Sequence, residues 1–571
     1  MYRKFDLNNL VGLSGEEKIK LAGFDFDWKE LAKLDDKELT GFHKTLFKWT
    51  GIYFQLQKGF HMMRVRAPGG MLSAKHCLVL AELADRYAQG DVCITTRQCI
   101  QLHWLKLEDL QHVLAALQQS GLSTKNAAGD VTRNICACPW SGVCKLEKSS
   151  ARDALNKLES TFLKDEAIRN LPRKYKINIS GCEVACAQPY MNDQGWVGTE
   201  RDGKAGFKLY SGGGLGARPF LAKLVLDFVP QELVVQTSRA CIRLFQDWGN
   251  RKNRSLARSK YVLYEFGVKK YQTMLMEYIA KEGVSEKQLK TIVVADEQPL
   301  SSVPFPFDRT QGVIEQKQPG KVLLQILVRR GDIKAFQLKA LADLSLQYGD
   351  GNVYFTHRQN AELHSLSESD VEKVKEEVHR IGLATEGFMH LADAVSCVGT
   401  TYCNYAVSNT PLLYNEIIER LSGNPLYLKT FRRLLINING CPNSCGQHKI
   451  ADIGLRGMRL PTPDGSVEAF EVSLGGDIFQ GTPRLNEPVA TVPASKTVDA
   501  VEKIVDAFVA HSASKTQTFR DFYEQQGRNF FVSLLNTPEF RPSGGVLYPS
   551  IKNSLSFLPD EVKVVEFAEL L

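Results

Sequence analysis

The chain repeats itself. Arg358 follows Arg97 and Tyr348 follows Tyr87 by the same 261 positions (358 − 97 and 348 − 87). Around each pair the hydrophobic pattern runs in one order. Residues 62–66 alternate as a strand, Pro68-Gly69-Gly70 turns, and Ser73 caps a helix running to Gly90. Strands over 92–95 and up to Trp104 follow, then a helix over 108–121. After residue 320 the β-α-β-β-α order returns. It predicts a strand over 322–328, a helix over 333–348, a strand over 353–355 entering Thr356-His357-Arg358-Gln359, a further strand, and a helix over 368–381. Two copies of one small α+β lobe therefore constrain the fold before anything else.

The cysteines repeat as well. Cys138 and Cys144 are spaced C-x5-C, and Cys182 and Cys186 lie in G-C-x3-C. Cys397, Cys403, Cys441 and Cys445 restate both spacings 259 positions later (397 − 138, 403 − 144, 441 − 182, 445 − 186). Four thiolates able to share one site read as a soft-metal site, iron–sulfur or zinc, with buried free cysteines as the plain alternative. Zinc sites pair their cysteines more tightly, so the five-residue gap favours iron–sulfur. Gly440, Gly446 and Pro442 suggest a tight loop whose amides point at sulfur. Gly-rich stretches follow in each half, at 211–214 and 474–476. Cys77, Cys93, Cys99, Cys136 and Cys241 have no partner at metal spacing and read as small core residues.

At 571 residues the chain exceeds one hydrophobic core and divides into several units. The expected order is an N-terminal arm (1–45), a first lobe (46–128), a first cysteine-bearing domain (129–287), a linker with Pro299, Pro304, Pro306 and Pro319 (288–320), a second lobe (321–385), a second cysteine-bearing domain (386–530) and a tail (531–571). No apolar run is long enough to span a membrane, and the N-terminus lacks a secretory pattern, so no membrane partner is expected. Thirteen cysteines without such a signal point to a reducing cytoplasm. The net charge of +7 is mild, and no basic run or zinc-finger spacing supports nucleic-acid binding. It suits a small anionic substrate, an anionic cofactor or an acidic protein partner.

Several motifs stand in one order: Arg64-Val65-Arg66-Ala67-Pro68-Gly69-Gly70, Thr95-Thr96-Arg97-Gln98, Thr132-Arg133-Asn134, Leu171-Pro172-Arg173-Lys174-Tyr175-Lys176, Asp247-Trp248-Gly249-Asn250-Arg251 and Gly440-Cys441-Pro442-Asn443-Ser444-Cys445-Gly446. With them the chain resembles the siroheme-dependent sulfite and nitrite reductase family over residues 45–530. The resemblance implies an internally duplicated α+β fold, two ferredoxin-like lobes plus two α+β siroheme/iron–sulfur domains. It implies that Cys397, Cys403, Cys441 and Cys445 hold a 4Fe–4S cluster, with Cys445 also ligating the siroheme iron. Arg64, Arg133, Lys174 and Lys176 would face the substrate. Thr95, Arg97, Gln98, Gln101, His103, Arg358, Gln359 and Asn360 would hold siroheme, whose carboxylates call for charged forks and amide donors. Without the resemblance, Lys174 and Lys176 would read as the wet face of a strand.

In the family it resembles, lysine at both places goes with a preference for sulfite, so with Lys174 and Lys176 the resemblance implies reduction of sulfite by six electrons to sulfide. Nitrite reduction to ammonia on the same site is the alternative, and a non-catalytic iron–sulfur electron carrier a third reading. The inserted ferredoxin module of dissimilatory sulfite reductases is absent. No G-x-G-x-x-G opens a helix after a strand, so electrons would come from another protein, a ferredoxin or a flavoprotein. The first-half quartet, Cys138, Cys144, Cys182 and Cys186, departs from fused assimilatory members, which usually lack it. It is either a relic or a second 4Fe–4S cluster, serving as a relay or beside a non-catalytic tetrapyrrole. The cations opposite it are mostly gone. Shifted by 259, Arg133 becomes Ala392, Lys176 becomes Leu435, and Lys174 alone finds a cation, Arg433.

Overall fold

The computed structural model describes residues 28–540 except 32, 35–36, 166–167, 169, 298, 306–307, 423, 425, 428–432, 463–464, 480 and 513–516. Most of the expected arm (1–27) and tail (541–571) lies outside the described residues.

Each lobe is a five-stranded sheet, and each borrows its last strand from the other half. The first runs Ile52–Phe54, Phe60–Val65, Ile100–Lys106, Asp91–Ile94 and then Asp332–Lys334. The second runs Val313–Glu315, Lys321–Ile326, Ala361–Ser367, Asn352–Phe355 and then Met71–Ser73. Ile333 pairs with Val92, and Leu72 with Val353, both antiparallel. The exchange covers two sheet edges that would otherwise present unpaired amides. It also merges the lobes, since Leu80 and Ala84 of the first share one buried core with Leu338 and Leu341 of the second.

The expected helix start at Ile333 is corrected here. Ile333 is buried between two exposed neighbours in a strand, and the helix begins at Ala335 and runs to Tyr348. The matching helix, Ala74–Tyr87, is capped by Ser73, whose hydroxyl accepts from the His76 amide. Glycine is required at both exchange junctions. Gly70 and Gly331 each have φ of +77°, and a Cβ would lie 2.1 Å from the Phe355 carbonyl oxygen at Gly70 and 2.3 Å from that of Ile94 at Gly331.

The cysteine-bearing domains are related mixed sheets. The first orders Val293–Val294, Lys223–Pro230, Lys204–Ser211, Gln194–Arg201, Ile177–Ser180 and Cys136–Ala137. The second orders Val395–Ser396, Ile436–Asn439, Ile453–Thr462, Gly465–Leu474 and Glu487–Pro493. In each, the two strands nearest the cysteines are parallel. Helices Ala151–Phe162, Val234–Trp248 and Ser259–Lys281, interrupted at Gly267, pack on the first sheet. Thr410–Ser422 and Thr497–His511 pack on the second.

The proline-bearing linker is built into the fold. It adds Val293–Val294 to the first sheet, and Ser302 donates its amide to the Gly481 carbonyl at 2.8 Å. The segment expected to open the tail is core. Helix Arg528–Leu535 buries Phe531 and Leu535, and Phe540 follows them.

Candidate active site between the two halves

The second quartet hangs from adjacent parallel strands. Cys397 follows Val395–Ser396, Cys441 and Cys445 follow Ile436–Asn439, and the Cys397 amide donates to the Ile438 carbonyl. Backbone donors surround the sulfurs. The Gly440 amide reaches Cys397 Sγ at 3.2 Å and the Tyr405 amide reaches Cys403 Sγ at 3.4 Å, while Asn443 donates to Cys441. Ser444 and Gln447 take left-handed φ of 55° and 61° to turn this loop. Such backbone costs on the order of 1–3 kcal/mol per non-glycine residue and persists where the surroundings over-determine it.

The first half clamps this loop. The Leu56 amide donates to the Tyr402 carbonyl at 2.9 Å, the Gln57 side chain to that of Thr401 at 2.8 Å, and Asn404 returns its amide to Phe54 and Gln55. His103 stacks on Tyr402 with ring centres 3.9 Å apart. Burial, reinforced by Arg64, drives the His103 pKa down to about 3, so the ring is neutral. From this position it supports the cysteine loop.

Beside Cys445 opens a cleft with a cavity of about 210 Å³. Among the described residues eight cations line it, Arg97, Arg173, Lys174, Lys176, Arg218, Arg254, Arg258 and Lys260, and no carboxylate does. Cys445 is the exposed member of its quartet and lines this space. The Thr96 hydroxyl donates to the Cys445 carbonyl at 2.7 Å, so the loop bearing Arg97 and the last cysteine are tied across the halves.

Lys174 and Lys176 flank Tyr175, which is buried against Phe245. Among the described residues no hydrogen bond or ion pair holds either ammonium group. Burial lowers the Lys174 pKa to about 7, with Arg258 and Arg133 adding to the shift. Lys176 is pushed well below its ordinary value, by burial first and then Arg97. The Lys176 amide is anchored on Asp193, which also accepts from Arg258 at 2.7 Å.

Arg64 and Arg133 stand next to this group and do not line the cleft itself. Both donate to the Ala127 carbonyl, at 3.4 and 3.2 Å. Their charges bear on Tyr53; burial raises its pKa, yet the two arginines bring it below its ordinary value. The Nε atoms of Arg64 and Arg97 are buried without a hydrogen-bond partner, donors left for an acceptor.

Other expected cofactor ligands are otherwise engaged. The Gln98 amide donates to Gly69, Ala137 and Phe355 carbonyls, and Gln359 donates to Ile94 and Arg330, so both stitch the exchanged lobes. Gln101 is buried against Met62 Sδ. Thr95 accepts from the Arg97 and Cys99 amides and shapes the loop. Arg97 lines the cleft but spends its terminal nitrogens on Asn178, Asn192 and the Asn134 carbonyl. Arg358 and Asn360 lie elsewhere, in a second cleft with Cys138 and Cys186, where both bond Asp393. The duplication explains this. Each lobe's loop faces the cysteines of the opposite half, so Arg358 repeats the role of Arg97 at the other site.

Sequence reading missed Arg218, Arg254, Arg258, Lys260 and Asp193. They are single charges in loops or at a helix start, and no period or spacing marks them.

All thirteen cysteines are free thiols. Cys77, Cys93, Cys99, Cys136 and Cys241 are buried. Among the described residues no three His, Cys, Asp or Glu side chains close on a single ion. A four-iron cube makes a different demand, standing between its thiolates and drawing on nearby amides. The second quartet, with its amide cradle, fits that demand, and the cation-lined cleft, with Arg97 Nε left for an acceptor, fits a polycarboxylate.

Models of the nitrite and sulphite reductase 4Fe-4S domain match residues 128–282 and 390–538. Models of the nitrite/sulfite reductase ferredoxin-like half domain match 53–120 and 314–381. The chain belongs to the nitrite and sulfite reductase family. It is an oxidoreductase whose family implies an iron–sulfur cluster and siroheme. An assimilatory ferredoxin-dependent nitrite reductase of Haloferax mediterranei is 32% identical over 85% of this chain and 85% of its own length. Sulfite reductase [ferredoxin] 2 of Mycolicibacterium paratuberculosis is 28% identical over 88% of this chain and 94% of its own. The solved structure of Mycobacterium tuberculosis NirA protein superposes with a TM-score of 0.80 at 26% identity, covering 91% of this chain and 97% of that one. No described helix is long and apolar enough to cross a membrane.

Proposed function

We propose that this family member reduces sulfite to sulfide in the cleft beside Cys445, taking six electrons one at a time from a ferredoxin. The observation that carries this reading is the pair of ammonium groups, Lys174 and Lys176, unpaired among the described residues in a cleft whose described lining holds eight cations and no carboxylate. Cys397, Cys403, Cys441 and Cys445 would hold a 4Fe–4S cluster and the cation-lined cleft beside Cys445 would hold siroheme, the pair that would supply one-electron chemistry there.

The chain's own residues do the rest. Arg218 and Lys260 offer charge to the tetrapyrrole carboxylates, beside Arg258, which is paired with Asp193, and Arg173 and Arg254, which share Asp130. Lys174 and Lys176 bind the oxoanion; at an effective dielectric near 20 each cation at ~4 Å contributes about 4 kcal/mol before desolvation is subtracted. A lysine near neutrality also holds a proton at Nζ that it can release as an oxygen leaves as water. Arg64 and Arg133 stay charged and hold the position of that site. The first-half quartet is a separate thiolate site, apart from the substrate cations.

The same cleft suits nitrite, a smaller monoanion, and the relative at 32% identity is named a nitrite reductase. Relatives carry both names, so they favour neither substrate. Steady-state assays with a reduced viologen, sulfite against nitrite, decide it. A larger kcat/KM for sulfite supports the proposal, and a larger one for nitrite replaces sulfite as the substrate.

A further inference from the structure

We propose that Cys138, Cys144, Cys182 and Cys186 hold a second 4Fe–4S cluster, in a cleft closed to any tetrapyrrole. The inference rests on the reading of the Cys445 cleft as the siroheme site.

The four thiols are brought together: Cys138, Cys182 and Cys186 share one buried cluster, and Cys144 packs against it. Backbone donors to sulfur recur in register with the other half. The Leu146 amide reaches Cys144 Sγ at 3.4 Å, as Tyr405 does Cys403, and Val184 donates to Cys182 as Asn443 does to Cys441. The left-handed residues recur too, Ala185 and Gln188 with φ of 58° and 55° matching Ser444 and Gln447. Such backbone costs on the order of 1–3 kcal/mol per non-glycine residue, and both halves keep it at the same two positions.

The cleft beside these thiols is built differently from the first. Its cavity measures about 30 Å³ and sets two cations, Arg309 and Arg358, against two carboxylates, Glu362 and Asp393. Arg309 enters it from the linker, and its guanidinium lies 4.1 Å from the Phe305 ring centre. Trp140, between the first two cysteines, donates to Glu362 at 2.9 Å. Leu435 and Ala392 replace two substrate cations, and Arg433 is neutralised by Asp477 at 2.6 Å and Asp452 at 3.5 Å. Cys186 is buried where its counterpart Cys445 is open. Four soft thiolates with amide donors suit a cluster; a cleft of balanced charge and aromatic fill has no place for a polycarboxylate macrocycle.

Iron, acid-labile sulfide and siroheme measured on the full chain purified without oxygen test this. About nine irons per siroheme are expected, eight of them in clusters. Cys144→Ser, an isosteric change, should then remove about four irons and leave siroheme content unchanged. About five irons per siroheme in the unsubstituted protein overturns the proposal, as do zinc in its place or two disulfides by thiol titration. Cluster iron for eight sites with no siroheme would keep the second cluster and overturn the reading of the Cys445 cleft.

Discussion

Thr96 and Cys445 lie 349 positions apart in the chain and meet through one hydrogen bond of 2.7 Å, from hydroxyl to backbone carbonyl. The contact joins the first lobe's loop to the last cysteine of the second quartet. Thr96→Val removes the donor and keeps the shape. A hydrogen bond of this kind contributes about 0.5–1.5 kcal/mol, so sulfite turnover should fall about two- to tenfold with iron content unchanged. Viologen-linked kinetics beside iron analysis check it, and lost iron with unaltered specific activity per cluster would contradict it.

Lys176→Asn should favour nitrite. The sulfite dianion loses more attraction than the nitrite monoanion when one cation goes, and a difference of about 1.4 kcal/mol is a tenfold shift in relative kcat/KM. Lys174→Ala should weaken both substrates. An unchanged sulfite-to-nitrite ratio in Lys176→Asn would take that residue out of specificity.

The lysines also set a pH dependence. The Lys174 pKa in the folded chain, about 7, lies below the ordinary 10.5, through burial and then Arg258. Between those values the unfolded chain binds more protons, so this group makes the anion-free protein more stable as pH rises from about 7. Anion binding runs the other way, because it needs the protonated lysine. Calorimetry of sulfate binding to cofactor-free protein at pH 8, in buffers of different ionisation enthalpy, should show proton uptake and weaker binding than at pH 6.

Exchange of strands predicts that the lobes unfold together. Gly331→Ala places a Cβ 2.3 Å from the Ile94 carbonyl at a φ of +77° and should cost more than about 1 kcal/mol. Gln98→Leu strips donors from three carbonyls, a further loss of about 1–3 kcal/mol for each left unsatisfied. In both variants one thermal transition covering the two lobes should move down. Two separable transitions would show that the shared core is not cooperative.

Much of this was readable beforehand because repetition makes weak signals strong. The offset of 259 brought out both thiol quartets, and Lys174 and Lys176 stood out through their motif. The exchanged strands were not readable. Met71–Ser73 and Asp332–Lys334 have three residues each, too few for alternation to register, and their partners lie in the other half. The same crossing misdirects any reading of Arg358 and Asn360, which serve the opposite site. Gln98 and Gln359 are expected as ligand donors through the resemblance alone; their amides bond carbonyls, including one each from the other half, those of Phe355 and Ile94.

A sulfite titration followed by visible absorption tests the central claim most directly. The anaerobic protein should show siroheme bands, about one siroheme per chain, that shift as sulfite enters the Cys445 cleft. Siroheme bands that ignore sulfite and nitrite alike, or an iron–sulfur shoulder with no siroheme, would contradict it.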